Sequence, residues 1–138
     1  MGTKWWQAIW ERRTLVDNII VWADIPVTDM PRAMAFYAAV TGQRIVPMPG
    51  SDDTVALIGT PDDADGPVGS ADLYLGGKPS QEGPTVYLAS GGDIDGMLAR
   101  VVPAGGKILQ EKAYMGEMVG WIAFVEDTEG NRIGIEQM

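Results

Sequence analysis

One segment of this 138-residue chain occurs twice. Asp29-Met30-Pro31-Arg32-Ala33-Met34-Ala35-Phe36-Tyr37 runs on to Gly42, and Asp93-Ile94-Asp95-Gly96-Met97-Leu98 runs on to Gly106. Each copy opens on an Asp that can cap a helix and closes on a glycine at the same distance. Each is preceded and followed by a strand-like run. A repeat of this size in so short a chain predicts two similar halves sharing one core, with a cleft between them.

The pattern around the repeat gives an element order. Ile19 to Val27 reads as a strand, because Val21, Ala23, Ile25 and Val27 alternate with Trp22, Asp24 and Pro26. A helix follows over Met30–Thr41, with the stripe Ala33, Phe36, Tyr37 and Val40. Strands are expected at Arg44–Met48, Thr54–Gly59 and Ala71–Leu75, and the acidic stretch from Thr60 to Pro67 reads as a polar loop. Gly76 to Gly83 reads as a linker.

The second half repeats the order. It gives a strand at Thr85–Ala89, a helix at Ile94–Val102, and strands at Lys107–Glu111, Val119–Glu126 and Arg132–Gln137. Asp127-Thr128-Glu129-Gly130-Asn131 is a tight turn. Each half is thus β-α-β-β-β, and the fold class is α+β. The domain reading is a Trp-rich extension over 1–17 and one domain over 18–138, with modules 18–76 and 83–138. In the extension, Trp5, Trp6, Ile9 and Trp10 fall at helical spacing, as in a helix packed on its own domain or on a second copy, or in a docking or membrane-surface helix.

Composition restricts the chemistry. There is no histidine and no cysteine. That removes Ser-His-Asp triads, thiol nucleophiles, thiolate metal sites and imidazole ligands. Acid–base work would fall to Asp, Glu, Lys or Tyr, and a metal site to oxygen ligands. A net charge of −9 argues against a nucleic-acid partner. No apolar run has the length of a membrane span, and no signal peptide is expected, so a cytoplasmic setting is anticipated.

The order of elements, with Ile25-Pro26-Val27-Thr28-Asp29 leading into Arg32, Phe36, Tyr37 and Gly42, resembles the vicinal oxygen chelate superfamily. Ala104-Gly105-Gly106 and Asp127-Thr128-Glu129-Gly130-Asn131-Arg132-Ile133 in the second half are similar to that group too. It includes glyoxalase I, bleomycin-resistance proteins and extradiol dioxygenases. The resemblance covers about residues 18–138. It implies paired modules in a half-open, eight-stranded, glyoxalase-like barrel around a cavity, commonly in a homodimer.

The resemblance also implies where a metal would sit: on the first and fourth strands of each module. Those positions hold Trp22 or Asp24, Asp72 or Tyr74, Thr85 or Tyr87, and Gly134 in place of the usual carboxylate. The chelating set is therefore broken, and the expectation is no metal and no cofactor. By alternation Trp22, Asp24, Gly134 and Glu136 should share the cavity face, while Val21, Ala23, Ile133 and Ile135 meet the helices.

The expected ligand-binding residues are Trp22, Asp24, Tyr74, Tyr87, Trp121 and Glu136. Phe124, Tyr114, Met115 and Met118 are further apolar candidates, with Gly116 and Gly120 flanking a hairpin tip over the pocket. The expected function is binding of a small apolar or aromatic molecule without the family metal. The alternative is a divalent-metal-dependent lyase or isomerase of glyoxalase type using Asp24 and Glu136. A metal-free enzyme with Asp24 as base is a third reading.

Overall fold

The computed structural model describes residues 19–59 and 70–138. The Trp-rich extension over 1–17 and the polar loop from 60 to 67 lie outside the described residues. The chain runs β1 (Ala23–Val27), α1 (Met30–Thr41), β2 (Ile45–Pro47), β3 (Val55–Ile58), β4 (Ala71–Leu75), β5 (Val86–Ala89), α2 (Ile94–Val101), β6 (Lys107–Tyr114), β7 (Trp121–Glu126) and β8 (Arg132–Gln137). The strands form two four-stranded sheets, ordered β1-β4-β3-β2 and β5-β8-β7-β6. In each, the first strand pairs in parallel with the fourth, and the other pairings are antiparallel. The two halves are thus two copies of one topology, as the repeated segment predicts.

Local chemistry fixes the helices. The Asp29 side chain accepts the Arg32 N–H at 3.1 Å, and Pro31 occupies the first turn, where a missing N–H costs nothing. Gly42 ends α1 in the left-handed region, at φ 67°. Asp93 caps α2 in the same way, through the Gly96 N–H at 3.0 Å. The second copy ends differently. Its cap is Val102 in right-handed conformation, and Pro103, which has no N–H to donate, stops the helix. Gly106 then lies beyond the cap, where its N–H closes on the Val101 carbonyl at 2.9 Å. A side chain there would collide with the Glu126 carbonyl, so a bare backbone is needed for a close approach.

The helix stripes and the inner sheet faces make one core. Met30, Ala33, Phe36, Tyr37 and Val40 of α1 and Ile94, Met97 and Val101 of α2 are buried. They pack with Ile25, Val27 and Leu73 of one sheet and Ala123, Val125, Ile133 and Ile135 of the other. Each large apolar side chain of this kind contributes roughly 1.5–3 kcal/mol when fully buried. The helices also meet directly: Arg100 of α2 donates to the Val40 carbonyl at the end of α1, at 3.1 and 3.2 Å.

A second joint ties the halves. In the β7–β8 turn, Asp127 accepts the Tyr37 hydroxyl at 2.6 Å, and Asn131 donates to the Pro26 carbonyl at 2.7 Å. Glu129 accepts the Thr28 and Asp29 N–H groups, each at 2.9 Å, and pairs with Arg32 at 2.8 Å. Asn131 also accepts the Ser80 N–H at 3.1 Å, which pins the linker. The turn therefore clamps the second module onto the β1–α1 corner of the first.

Strand limits differ from the sequence reading where ladder partners decide them. β1 begins at Ala23, not Ile19, because β4 offers its first rung at Ala71. Val21 is accordingly exposed rather than turned to the helices. β6 extends to Tyr114, past Glu111, through register shifts around Gln110. β7 starts at Trp121, because Gly116 and Gly120 close a turn in which Met115 donates to the Gly120 carbonyl at 2.8 Å.

Candidate functional site

Ile25 and Val27 are buried against the helices, so Asp24 and Pro26 face the other side of the first sheet. The same alternation turns Tyr87 of β5 away from α2. The parallel ladders then pair these residues with the fourth strands. Asp24 stands opposite Asp72, and Tyr87 stands opposite Gly134. Both pairs are the second rung of their ladder, so they are equivalent positions in the two halves.

The two rungs carry opposite chemistry. In the first, two carboxyl groups meet. The Trp22 indole N–H donates to Asp72 Oδ2 at 2.9 Å, while Asp72 Oδ1 is buried without a partner. Burial raises the Asp72 pKa, and the adjoining Asp24 carboxyl raises it further, against the lowering by the Trp22 hydrogen bond. In the second rung, the ring of Tyr87 lies over Gly134: a Cβ on that glycine would come within 2.3 Å of it. Tyr87 meets Phe124 edge to face, with centroids 5.9 Å apart. The Arg132 guanidinium sits 4.1 Å from the Phe124 centroid.

Two cavities follow the seam between β1 and β5. One, of about 370 Å³, is lined by Asp24, Pro26, Lys78, Ser80, Glu82 and Arg132 among others. The next, of about 470 Å³, is walled by Val21, Trp22, Tyr87 and Leu88. They share Ala23, Pro84 and Val86, so they are consecutive stretches of one seam, polar at one end and aromatic at the other. The volumes suit small organic molecules.

The six expected residues do not all converge. Asp24 lines the polar cavity, and Trp22 and Tyr87 line the aromatic one. Glu136 lines neither. It pairs with Ala89, four positions along β8 from Arg132, or roughly 13 Å at strand spacing, and its Oε1 is buried without a partner. Tyr74 pairs with Pro26 and folds its hydroxyl end over Gly76. Trp121 shares the helix-facing side with Ala123 and Val125. There its ring lies 5.3 Å from Tyr114 and 5.0 Å below Lys112, which pairs with Asp95 of α2 at 2.9 Å. The hairpin tip at Gly116–Gly120 belongs to the sheet edge farthest from the seam, and its residues line neither cavity.

Sequence reasoning passed over Arg132, Lys78 and Ser80. Arg132 carried a usable signal: alternation from Gly134 puts it on the same face. Lys78 and Ser80 lie in a linker without periodicity, and only the Asn131 hydrogen bond brings that linker to the seam.

The sequence profile of the Glyoxalase/Bleomycin resistance protein/Dioxygenase superfamily matches residues 19–135. The chain belongs to that superfamily. Solved structures share its fold. A glyoxalase/bleomycin resistance protein from Albidiferax ferrireducens is 19% identical, with a TM-score of 0.64, covering 88% of this chain and 99% of that one. A hypothetical protein from S. aureus is 20% identical, with a TM-score of 0.62, covering 85% and 95%. A variant of glyoxalase I from Zea mays is 19% identical, with a TM-score of 0.60, covering 84% of this chain and 45% of that one. Among curated proteins, none matches the sequence significantly.

The superfamily's metal can be tested against the residues present. The equivalent rungs offer two carboxyls on one side, and on the other a phenol and a glycine whose side-chain space is filled by that phenol's ring. Among the described residues, no group of three His, Cys, Asp or Glu side chains is placed to hold an ion. This donor set does not fit a four-ligand divalent site. No described helix is long and apolar enough to cross a membrane.

Proposed function

We propose that this protein binds a small organic molecule without the superfamily's metal, and that it does so in the seam between β1 and β5. The ligand has an apolar or aromatic body and one basic or hydroxyl group. One observation carries this reading: the exposed Asp24 carboxylate lines the polar cavity next to the buried Asp72 carboxyl, beside the half-exposed ring of Trp22. The Asp24 carboxylate gives a ligand N–H or O–H in that cavity a charged acceptor. The ring offers contact area and a face for a cation.

Metal-dependent lyase or isomerase chemistry through Asp24 and Glu136 finds less support, since only Asp24 lines the polar cavity. A homodimer in the cytoplasm remains part of the proposal.

The test is binding of 2-phenylethylamine to the metal-free protein, followed by tryptophan fluorescence. Quenching is expected. Asp24→Asn should weaken the amine about tenfold, the loss of one charged hydrogen bond. Trp22→Ala should weaken 2-phenylethylamine and the neutral 3-phenylpropan-1-ol alike. Equal affinity in both variants would place the site elsewhere. Near-stoichiometric Zn, Ni, Fe or Mn in gently purified protein would overturn the metal-free reading.

A further inference from the structure

Among the described residues, Arg132 is a cation held in place without a carboxylate partner. Its backbone N–H donates to the Ser80 carbonyl at 3.4 Å, and its guanidinium stacks on Phe124. One side-chain contact, Nη1 to Thr85 Oγ1, reaches 3.5 Å, the outer limit of a hydrogen bond. Among the described residues its guanidinium makes no ion pair, although the chain carries a net charge of −9. An Arg with five N–H donors in a rigid fork, oriented by an aromatic platform, is a preformed anion receptor.

It lines the same cavity as Asp24. The charged lining groups balance: Asp24 and Glu82 against Lys78 and Arg132. On that neutral lining a carboxylate adds one negative charge where a dianionic phosphate adds two, and its two oxygens match the fork of one planar guanidinium.

We infer that Arg132 grips a carboxylate, so that the seam takes amphoteric molecules: an aromatic or apolar body, a basic or hydroxyl group at the Asp24–Asp72 pair, and a carboxylate at the Phe124–Arg132 platform. This rests on the reading that the seam binds a small organic molecule. It adds a second recognition point at the other sheet, and with it a substrate class.

The experiment titrates the full chain by NMR with 3-phenylpropionate, 3-phenylpropan-1-ol, phenylphosphonate and 2-phenylethylamine. The acid should bind about tenfold more tightly than the alcohol, the usual scale for a charged hydrogen bond. Arg132→Gln should erase that difference, and Arg132→Lys should restore part of it. Affinity for 2-phenylethylamine should stay or rise in Arg132→Gln, which also reports that the variant is folded. Equal binding of acid and alcohol, or a preference that survives Arg132→Gln, overturns the inference. So does an Arg132-dependent gain larger for phenylphosphonate than for 3-phenylpropionate. If the amine binds through Asp24 while the acid gains nothing from Arg132, only this inference fails. If no probe binds, both readings fail.

Discussion

Gly134 shows how one residue redirects a site. It stands where the resemblance to the superfamily implies a carboxylate, and the Tyr87 ring fills its side-chain space. Gly134→Ala should therefore destabilise the protein by about 1–3 kcal/mol through overpacking, read as a lower urea midpoint. The same change in a Tyr87→Ala background should cost much less, because the colliding ring is gone. Equal costs in both backgrounds would refute the packing argument. Asp72 gives a second prediction. Its pKa is raised by burial and by Asp24, so Asp72 loses its negative charge earlier than an ordinary carboxylate as pH falls. Affinity for 2-phenylethylamine, followed by tryptophan fluorescence, should rise with pH through the titration of Asp72, and in Asp72→Asn the rise should shrink. Asp24 is legible at this scale because strand alternation alone puts it opposite the helices. Its pairing with Asp72 is not, since register joins residues distant in sequence and leaves no local pattern.

At the scale of elements, the β7–β8 turn holds the halves together, although in the sequence its residues read as a turn and a family motif, with no sign of what they bind. Asp127, Glu129 and Asn131 look like turn formers, but their side chains reach Tyr37, Thr28, Asp29, Arg32 and Pro26 across the core. Burial would raise the Glu129 pKa. The Arg32 guanidinium and the Thr28 and Asp29 N–H groups outweigh it, and the carboxyl is lowered from 4.5 to about 2. A depressed folded-state value means stability that is complete above the unfolded pKa and is lost as pH falls through the folded one. The clamp should therefore hold above pH 4.5 and weaken from there down to about 2. Glu129→Gln should cost on the order of 1–2 kcal/mol at neutral pH, discounted for the half-open Arg32 partner, and should flatten the acid limb of the stability curve. Urea unfolding from pH 7 to 2 measures both, and an unchanged acid limb would remove Glu129 from the account. Helix starts are legible because Asp caps act locally. The end of β6 is not, because Gln110, Glu111 and Lys112 break the alternation where the strand bulges.

At the scale of the molecule, the repeat makes the α+β fold readable from the residues alone, whereas the seam between the halves has no sequence signature of its own. The same scale bears on assembly. Strand edges are poor candidates for joining two copies. β2 is three residues long and ends in Pro47, and β6 is bulged and carries Lys107, Glu111 and Lys112. Apolar surface is the better candidate. Leu109, Tyr114, Met115, Met118, Val119 and Trp121 are exposed around the β6–β7 hairpin, Met118 at 91% of its surface. A patch of this kind on a chain with a net charge of −9 should associate more strongly as salt screens the repulsion between copies. The expected result is a homodimer of the 14.8 kDa chain by light scattering at micromolar concentration, tighter in about 0.5 M than in about 0.05 M salt. Met118→Glu should shift it toward monomer without lowering the urea midpoint, because an exposed side chain adds little to folding. A monomer at every salt concentration would end the dimer proposal. A dimer indifferent to Met118→Glu would move the interface away from the hairpin and leave the exposed Ile20 and Val21, which line the aromatic cavity, as the surface to probe next.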